Sequence, residues 1–550
     1  MAKHQHRICY ETFAVGILGL LLFTIGIGDQ EFIGFETRFG IFAREMLAFG
    51  PSVFPTTYGE PYPDYPSTST LLIWLLAQFS GQVTKLSTVV PTAFAAAVNL
   101  AITYRLLRYV SVQWALLAVC FELGTVTFLT HARSISIDQM LATVTVACFF
   151  LVYRNDFQRD NSPWWRPMPG IFILLTFGFS LRGPMGIVLP SGVLCSYYLM
   201  SSSWCTKPRW QPLITFGFLA SLLLCLSCIA LYYLARREGG DAFADEVLQA
   251  EFAGRLQNES HSTAGYYFIN SIGNYALSFL PAMVVMALIA PRLLRREWDE
   301  PLRMAALMAA WTLILLLGLS IPQTQKSRYL LPVVPAIAAL ASFPFITRNH
   351  KPLAMVRIAT HALFFILPAL CLVLLFYAIR YADKHNIALP EHLSLLMIVL
   401  AACQFTSVNR SLDKKNAARG DRWIVSLGVI ALWSTNLWLR EPLLTQLHSA
   451  RPFVKRAEQL RREQPAPMVF YRLGKDNAAL RYRVNADIIG FYPHFIDAPE
   501  PLKQLATPYY LMVCDRDIAA IQNTSIKLPL PAITGFFDGD VCSVYFVQRI

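Results

Sequence analysis

Apolar residues run in long stretches from residue 12 to residue 441, with short polar breaks between them. A helix crosses the bilayer core with about 20 apolar residues, and sometimes with about 17. Segments of that kind fall near 12–28, 87–105, 112–130, 138–153, 167–181, 185–200, 211–234, 267–290, 302–320, 328–346, 355–379, 389–405 and 422–441. The pattern predicts about thirteen transmembrane helices. The apolar stretch at 69–82 is short and follows Pro61, Pro63 and Pro66, so it reads as an interfacial or re-entrant helix. After 441 the pattern changes to prolines, charges and short β-like runs at 468–471, 509–514 and 541–547, with a helix expected over 453–463. The expected fold is mainly α: a polytopic membrane domain over 1–441 and a small α/β domain over 442–550.

Composition agrees with lipid as the solvent. The chain is 55% hydrophobic and 15% charged, against about 25% charged in soluble proteins, and its mean hydropathy is +0.43. The net charge of +12 would point to nucleic acid in a soluble protein. Here the Lys and Arg residues sit mainly in short loops between apolar runs, as the positive-inside bias requires, and nucleic acid is not an expected partner. Most of the eleven cysteines lie in apolar runs and act as small hydrophobes. Cys225 and Cys228 form a mid-span CxxC with no matching pair, which argues against a metal or redox site. Cys514 and Cys542 are able to pair if the tail meets an oxidising compartment. The first apolar segment, behind Lys3, His4, His6 and Arg7, reads as a retained first helix rather than a cleaved signal.

Sidedness follows from the loops. Basic clusters occur at Arg105/Arg108, Arg154/Arg159/Arg166, Lys207/Arg209, Arg292/Arg295/Arg296, Arg348/Lys351/Arg357 and Arg410/Lys414/Lys415/Arg419/Arg422. With a cytoplasmic N-terminus, all of them fall inside. The loops 29–86 and 235–266, the tail and the turns near 131–137, 182–184 and 321–327 then fall outside. Candidate chemistry gathers in those outer segments: FETRF at 35–39, YPDYP at 62–66, RSISID at 133–138, Arg182-Gly183-Pro184 and QKSRYLLP at 325–332, with Glu251, Arg255 and His261 in a later loop. Ionisable residues at membrane depth are costly and usually have a purpose. Each also has a plainer reading. Glu36 and Arg38 suit an interfacial pair, Asp138 suits a helix N-terminus, Lys326 and Arg328 suit snorkelling anchors, and His261 suits a structural role.

Taken in order, FETRFGIFAREM at 35–46, YPDYP at 62–66, RSISID at 133–138 and RYLLP at 328–332 with Pro335 resemble the lipid-linked-sugar glycosyltransferases of the GT-C type. Within that type they look like the aminoarabinose transferase and protein-mannosyltransferase-like group, which modifies lipid A and related acceptors. The resemblance covers roughly residues 1–345 and, more loosely, the remainder. It implies a GT-C fold with a periplasmic C-terminal domain in a bacterial inner membrane. It also implies a polyprenyl-phosphate sugar donor, a lipid A-like, glycolipid or protein acceptor, and inversion at the anomeric carbon.

The resemblance assigns roles residue by residue. Glu36 and Asp138 are the candidate catalytic carboxylates. Arg38, Tyr65, Arg133, Arg182, Lys326, Arg328 and Tyr329 are the candidate substrate-binding groups. Two positions depart from the family pattern: Phe35 stands where relatives carry the leading Asp of DETRY, and Tyr65 stands where YFEKP has its Lys. In aminoarabinose transferases the Glu of YFEKP shares a divalent metal with a later His. The resemblance therefore implies zinc, or magnesium or manganese, at Asp64 and His261. The competing readings are a transporter or flippase of lipid-linked substrates and a non-catalytic GT-C-like protein. The chain shows none of the repeated halves with broken helices common in transporters.

Overall fold

The computed structural model describes residues 2–28, 30–158, 162–204, 209–250, 265–322, 324–348, 350–385, 389–412, 417–474, 478–486, 488, 491–522, 528–537 and 539–548. Every apolar segment predicted above carries helix. Among the described residues, nine helices are long and apolar enough to cross a membrane: His6–Thr24, Lys85–Arg108, Ile137–Phe157, Trp210–Leu248, Ala276–Leu294, Glu300–Leu319, Ser327–Phe345, Lys351–Lys384 and Leu393–Leu412. The helices Met168–Arg182 and Met185–Ser201 are apolar but shorter. Many outward residues of the long helices are apolar and exposed, such as Phe218, Ile229, Val373 and Ile398, as a lipid-facing surface requires.

Two segments differ from the straight spans expected. The stretch near 112–130 is a bent pair, Val112–Leu123 and Val126–Ala132, with an angle of 74° between them. Thr125 adopts an extended conformation at the break, and its hydroxyl meets Ser278 Oγ at 2.8 Å and bonds to the Phe121 carbonyl at 2.9 Å. The helix begun near 211 continues to Leu248 but changes direction at Gly240, whose φ of 80° suits glycine.

The chain divides into two compact units. The first comprises 1–25, 63–69 and 89–439, and the second 26–62, 70–88 and 440–550. The second therefore joins the first long loop to the tail. It holds the helix Glu36–Phe49, a small hairpin of β1 (Thr56–Thr57) and β2 (Glu60–Pro61), and most of the short helix Thr68–Ser80 at the position of the expected interfacial segment.

The tail carries a sheet built from β3 (Met468–Tyr471), β4 (His494–Ile496), β5 (Tyr509–Cys514), β6 (Ile533–Phe537) and β7 (Asp540–Val547), in the order β4-β3-β5-β7-β6. β3 runs parallel to β4 and β5, while β7 is antiparallel to β5 and β6. Both sheet faces are buried, which explains why β3 and β5 read as continuous apolar runs rather than alternating ones. Phe470, Met512 and Val544 pack on one face under the helix Arg451–Glu463, and Val469, Leu511 and Val513 pack on the other.

Acidic residues of the first loop hold this second unit together. Glu31 accepts from the Ala450 and Arg451 N–H groups at 3.1 and 3.2 Å and from Ser449 Oγ at 2.9 Å. It thereby satisfies donors at the N-terminus of the helix Arg451–Glu463, where a carboxylate is favoured. Buried Glu45 accepts from the Tyr58 N–H at 2.7 Å and pairs with Arg483 at 3.1 Å. The Arg483 guanidinium lies 4.1 Å from the Tyr58 ring centre.

Candidate active site

In the first unit, three separated stretches bring charge to one place. Asp138 lies in the first turn of the helix Ile137–Gln158, where the helix dipole favours a carboxylate. Ser136 caps that turn, its Oγ accepting from the Gln139 N–H at 3.3 Å, and its own N–H donates to Thr92 Oγ1 at 3.2 Å. The buried Asp138 side chain meets two guanidinium groups: Arg182 Nε lies 3.0 Å from Oδ1 and Arg328 Nε lies 3.1 Å from Oδ2. The Arg328 contact is an ion pair by distance, outside hydrogen-bond angles.

Local sequence explains each arm. Arg182 ends the helix Met168–Arg182, and Gly183 at φ 56° turns the chain into the helix Met185–Ser201. The two helices cross with backbone in contact: a Cβ on Gly186 would stand 1.9 Å from the Gly178 carbonyl oxygen. Arg328 and Tyr329 sit in a tight 3₁₀ segment, Ser327–Val333. Pro332 has no N–H to give the Arg328 carbonyl, so a regular α-helical turn cannot form there. The segment is anchored by the Tyr275 hydroxyl on the Ser327 carbonyl at 2.7 Å and by Trp311 Nε1 on the Pro332 carbonyl at 3.1 Å.

Aromatic rings complete the cluster. The Arg182 guanidinium lies between Tyr65 and Tyr329, 5.0 and 5.1 Å from the ring centres. Such cation–π packing orients a guanidinium without neutralising it. A small cavity opens here, lined by Asp138, Arg182, Tyr329 and Pro332 with Leu141, Met185 and Leu189. Two guanidinium groups gather here beside an apolar wall, and arginine donors suit an anionic oxygen group.

The other predicted residues lie elsewhere. Arg133 caps the first helix, its Nη1 donating to the Leu22 and Phe23 carbonyls at 3.0 and 3.2 Å and its Nη2 to Ile25 at 2.9 Å. Lys326 is exposed at the start of the 3₁₀ segment. Asp64 is buried and accepts from the Tyr65 N–H at 2.9 Å. His261 lies outside the described residues. No cluster of three or more His, Cys, Asp or Glu placed to hold a metal occurs among the described residues.

Glu36 and Arg38 belong to the second unit. Buried Glu36 forms an ion pair with buried Lys85. Arg38 is ringed by Phe35, Phe39, Tyr62 and Phe42, whose ring centres lie 5.5–6.0 Å from its guanidinium carbon. Phe35, at the position of the family Asp, is therefore part of an aromatic cage.

Two residues escaped the sequence reading. Lys85 looks like an ordinary anchor ahead of an apolar span; the usable signal was a lysine on the side where the loops place few cations. His131 lies just before the RSISID stretch, close enough to Asp138 and Arg328 to interact with both charges. Its Nδ1 is buried without a hydrogen-bond partner among the described residues. No local pattern distinguishes it from a core histidine.

No protein-family model matches the sequence. Solved structures share the fold. ArnT from Cupriavidus metallidurans bound to undecaprenyl phosphate is 15% identical, with 96% of each chain covered and a TM-score of 0.68. The apo form of the same protein gives 15%, 99% of this chain, 98% of that one and 0.67. The oligosaccharyltransferase of Archaeoglobus fulgidus is 10% identical over 92% of this chain and 70% of that one, with a TM-score of 0.52. The whole length of the chain thus adopts an ArnT-like architecture.

Proposed function

We propose that the chain is a membrane glycosyltransferase that moves a sugar from a polyprenyl-phosphate donor to a lipid A-like, glycolipid or protein acceptor at the periplasmic face of a bacterial inner membrane. The observation that carries this reading is the Arg182–Asp138–Arg328 cluster, two guanidinium groups on one buried carboxylate, next to a small cavity with leucine and methionine in its wall. The ArnT-like architecture supports it, since that relative was crystallised with undecaprenyl phosphate. The Cys514–Cys542 disulfide supports an oxidising, outer location for the tail.

In the reaction, an acceptor oxygen attacks the anomeric carbon from the side opposite the leaving group. The bond from that carbon to the phosphate oxygen breaks, and polyprenyl phosphate departs with the bonding electrons. Arg182 and Arg328 stabilise the charge that develops on that phosphate. Asp138 holds the two guanidinium groups in register. A phosphate acceptor is already anionic at neutral pH, whereas a hydroxyl acceptor must lose a proton. Glu36 and Asp138 are the two candidate carboxylates for orienting such an acceptor or taking its proton. Asp64 and His261 would be the ligands this chain offers to a divalent ion, as the family resemblance suggests.

The test is sugar transfer in membranes carrying Arg328→Ala, Asp138→Asn or Glu36→Gln, with protein level and monodispersity checked. Removing one donor to a developing anion costs about 10²–10³ in rate, and Arg328→Ala is expected to fall in that range. Mass spectrometry of lipid A, glycolipids and envelope proteins from a deletion strain would identify the missing sugar. Full turnover in all three variants sinks the reading.

A further inference from the structure

A second charged cavity lies in the first unit, one membrane span away from Arg328. The helix Ser327–Phe345 separates Arg328 from Arg348, roughly 28 Å at 1.5 Å per residue. The cavity, of about 400 Å³, lies among the helices Lys351–His385, Leu393–Leu412 and Ala417–Thr435 and is lined by Arg348, Arg357, His361, Asp421, Ile358 and Phe365. Buried Asp421 holds two of these groups: Arg348 Nη2 lies 2.5 Å from Oδ2 and His361 Nδ1 lies 2.8 Å from Oδ1. The carboxylate therefore fixes the histidine ring and offsets only one guanidinium.

Arg357 is the second guanidinium. Its Nη1 is buried and has no hydrogen-bond partner among the described residues. A buried charged donor left without an acceptor is costly, so such a group implies an acceptor from outside the chain. The geometry also states what kind. Two guanidinium groups and an imidazole against one carboxylate call for an anion, and arginine suits phosphate oxygens. Ile358, Ala362 and Phe365 form an apolar part of the wall, and Ile358 is 63% exposed, where an acyl chain would lie.

We propose that this cavity binds the phosphate group of an anionic membrane lipid, in the leaflet opposite the sugar-transfer cluster. Basic pockets between transmembrane helices recognise lipid headgroups by this chemistry. The proposal does not depend on the sugar-transfer reading and survives its failure.

The test uses the full-length protein in phosphatidylcholine nanodiscs with and without phosphatidylglycerol, and native mass spectrometry counts the retained lipids. The wild type is expected to keep phosphatidylglycerol in preference to phosphatidylcholine. Arg357→Gln and Arg348→Gln are expected to weaken retention about tenfold, the scale of one charge-assisted hydrogen bond. Lys351→Gln, on the same helix but not lining the cavity, should leave it unchanged. A parallel titration with inorganic phosphate separates the sources. Arg357-dependent phosphate binding without lipid retention would confirm the anion site and overturn the lipid as its occupant. Equal retention in wild type and Arg357→Gln, with no phosphate binding, overturns the proposal. Size-exclusion chromatography and thermal melting of each variant report its folding independently.

Discussion

At the residue scale, Asp138 has three neighbours that sequence could not join to it. Breaking a buried ion pair by removing one partner costs about 3–5 kcal/mol, because the other charge is left uncompensated. Asp138→Asn is therefore expected to lower thermal stability as well as activity, and the two effects must be read on folded protein. Tyr65 is a different case. The resembled YFEKP pattern has a lysine there, and in this chain the tyrosine packs its ring on Arg182. Gly186 offers a steric prediction. With a Cβ 1.9 Å from the Gly178 carbonyl, Gly186→Ala must push the two helices apart. Overpacking costs about 1–3 kcal/mol, so its melting temperature in detergent should fall, and transfer should fall with it as Arg182 shifts. An unchanged melting temperature would show that the helices do not cross so closely.

At the element scale, the tail is held by strand order and by a few buried polar contacts. The Tyr482 hydroxyl donates to Glu458 Oε1 at 2.8 Å, and Arg461 Nη2 meets Oε2 of the same carboxylate at 2.7 Å. Burial, followed by the Glu458 charge, pushes the Tyr482 phenol above its usual value. A group with a raised pKa in the folded state stabilises it below the unfolded value and loses that contribution as pH rises. Hydrogen exchange in β3 should therefore quicken above a pH of about 10, and less so in Tyr482→Phe. At lower pH that variant should cost only about 1 kcal/mol, the worth of one hydrogen bond.

Cys514 and Cys542 face each other in the β5–β7 register and are joined, with 28 residues of sequence separation. By loop-closure entropy, reduction should remove about 3–4 kcal/mol from the tail. Alkylation of the unfolded chain without reductant should leave two cysteines unmodified. Modification of both would show that the tail does not reside in an oxidising compartment.

At the scale of the whole molecule, the lesson concerns sidedness. The thirteen-span reading puts Asp138, Arg182 and Arg328 at outer helix ends and the Arg348–Asp421 cavity at the inner ends. Reporter fusions near residues 183 and 323 should read periplasmic, and fusions near 349 and 414 cytoplasmic. Fusions placing 183 and 349 on the same side would contradict the topology and with it both proposed sites.

Much of this was legible beforehand because its signals are local. The length of an apolar run sets a span, and a dense run of Tyr, Leu, Met and Val sets β5. The missed strand β4 has only three residues, and Gly535 weakens the pattern of β6. Cation–π packing, ion pairing and close backbone approach depend on distance in space, for which spacing along the chain holds no record. The sequence alone thus determined that the chain lives in lipid, where its helices run and which residue types gather at their ends. Only tertiary structure decided that Asp138 sits between Arg182 and Arg328, that Glu36 pairs with Lys85, that Arg133 caps a helix and that Asp421 holds Arg348 and His361. The physical reason is that lipid solvation acts on each segment by itself, while charge compensation at membrane depth is settled between segments far apart in the chain.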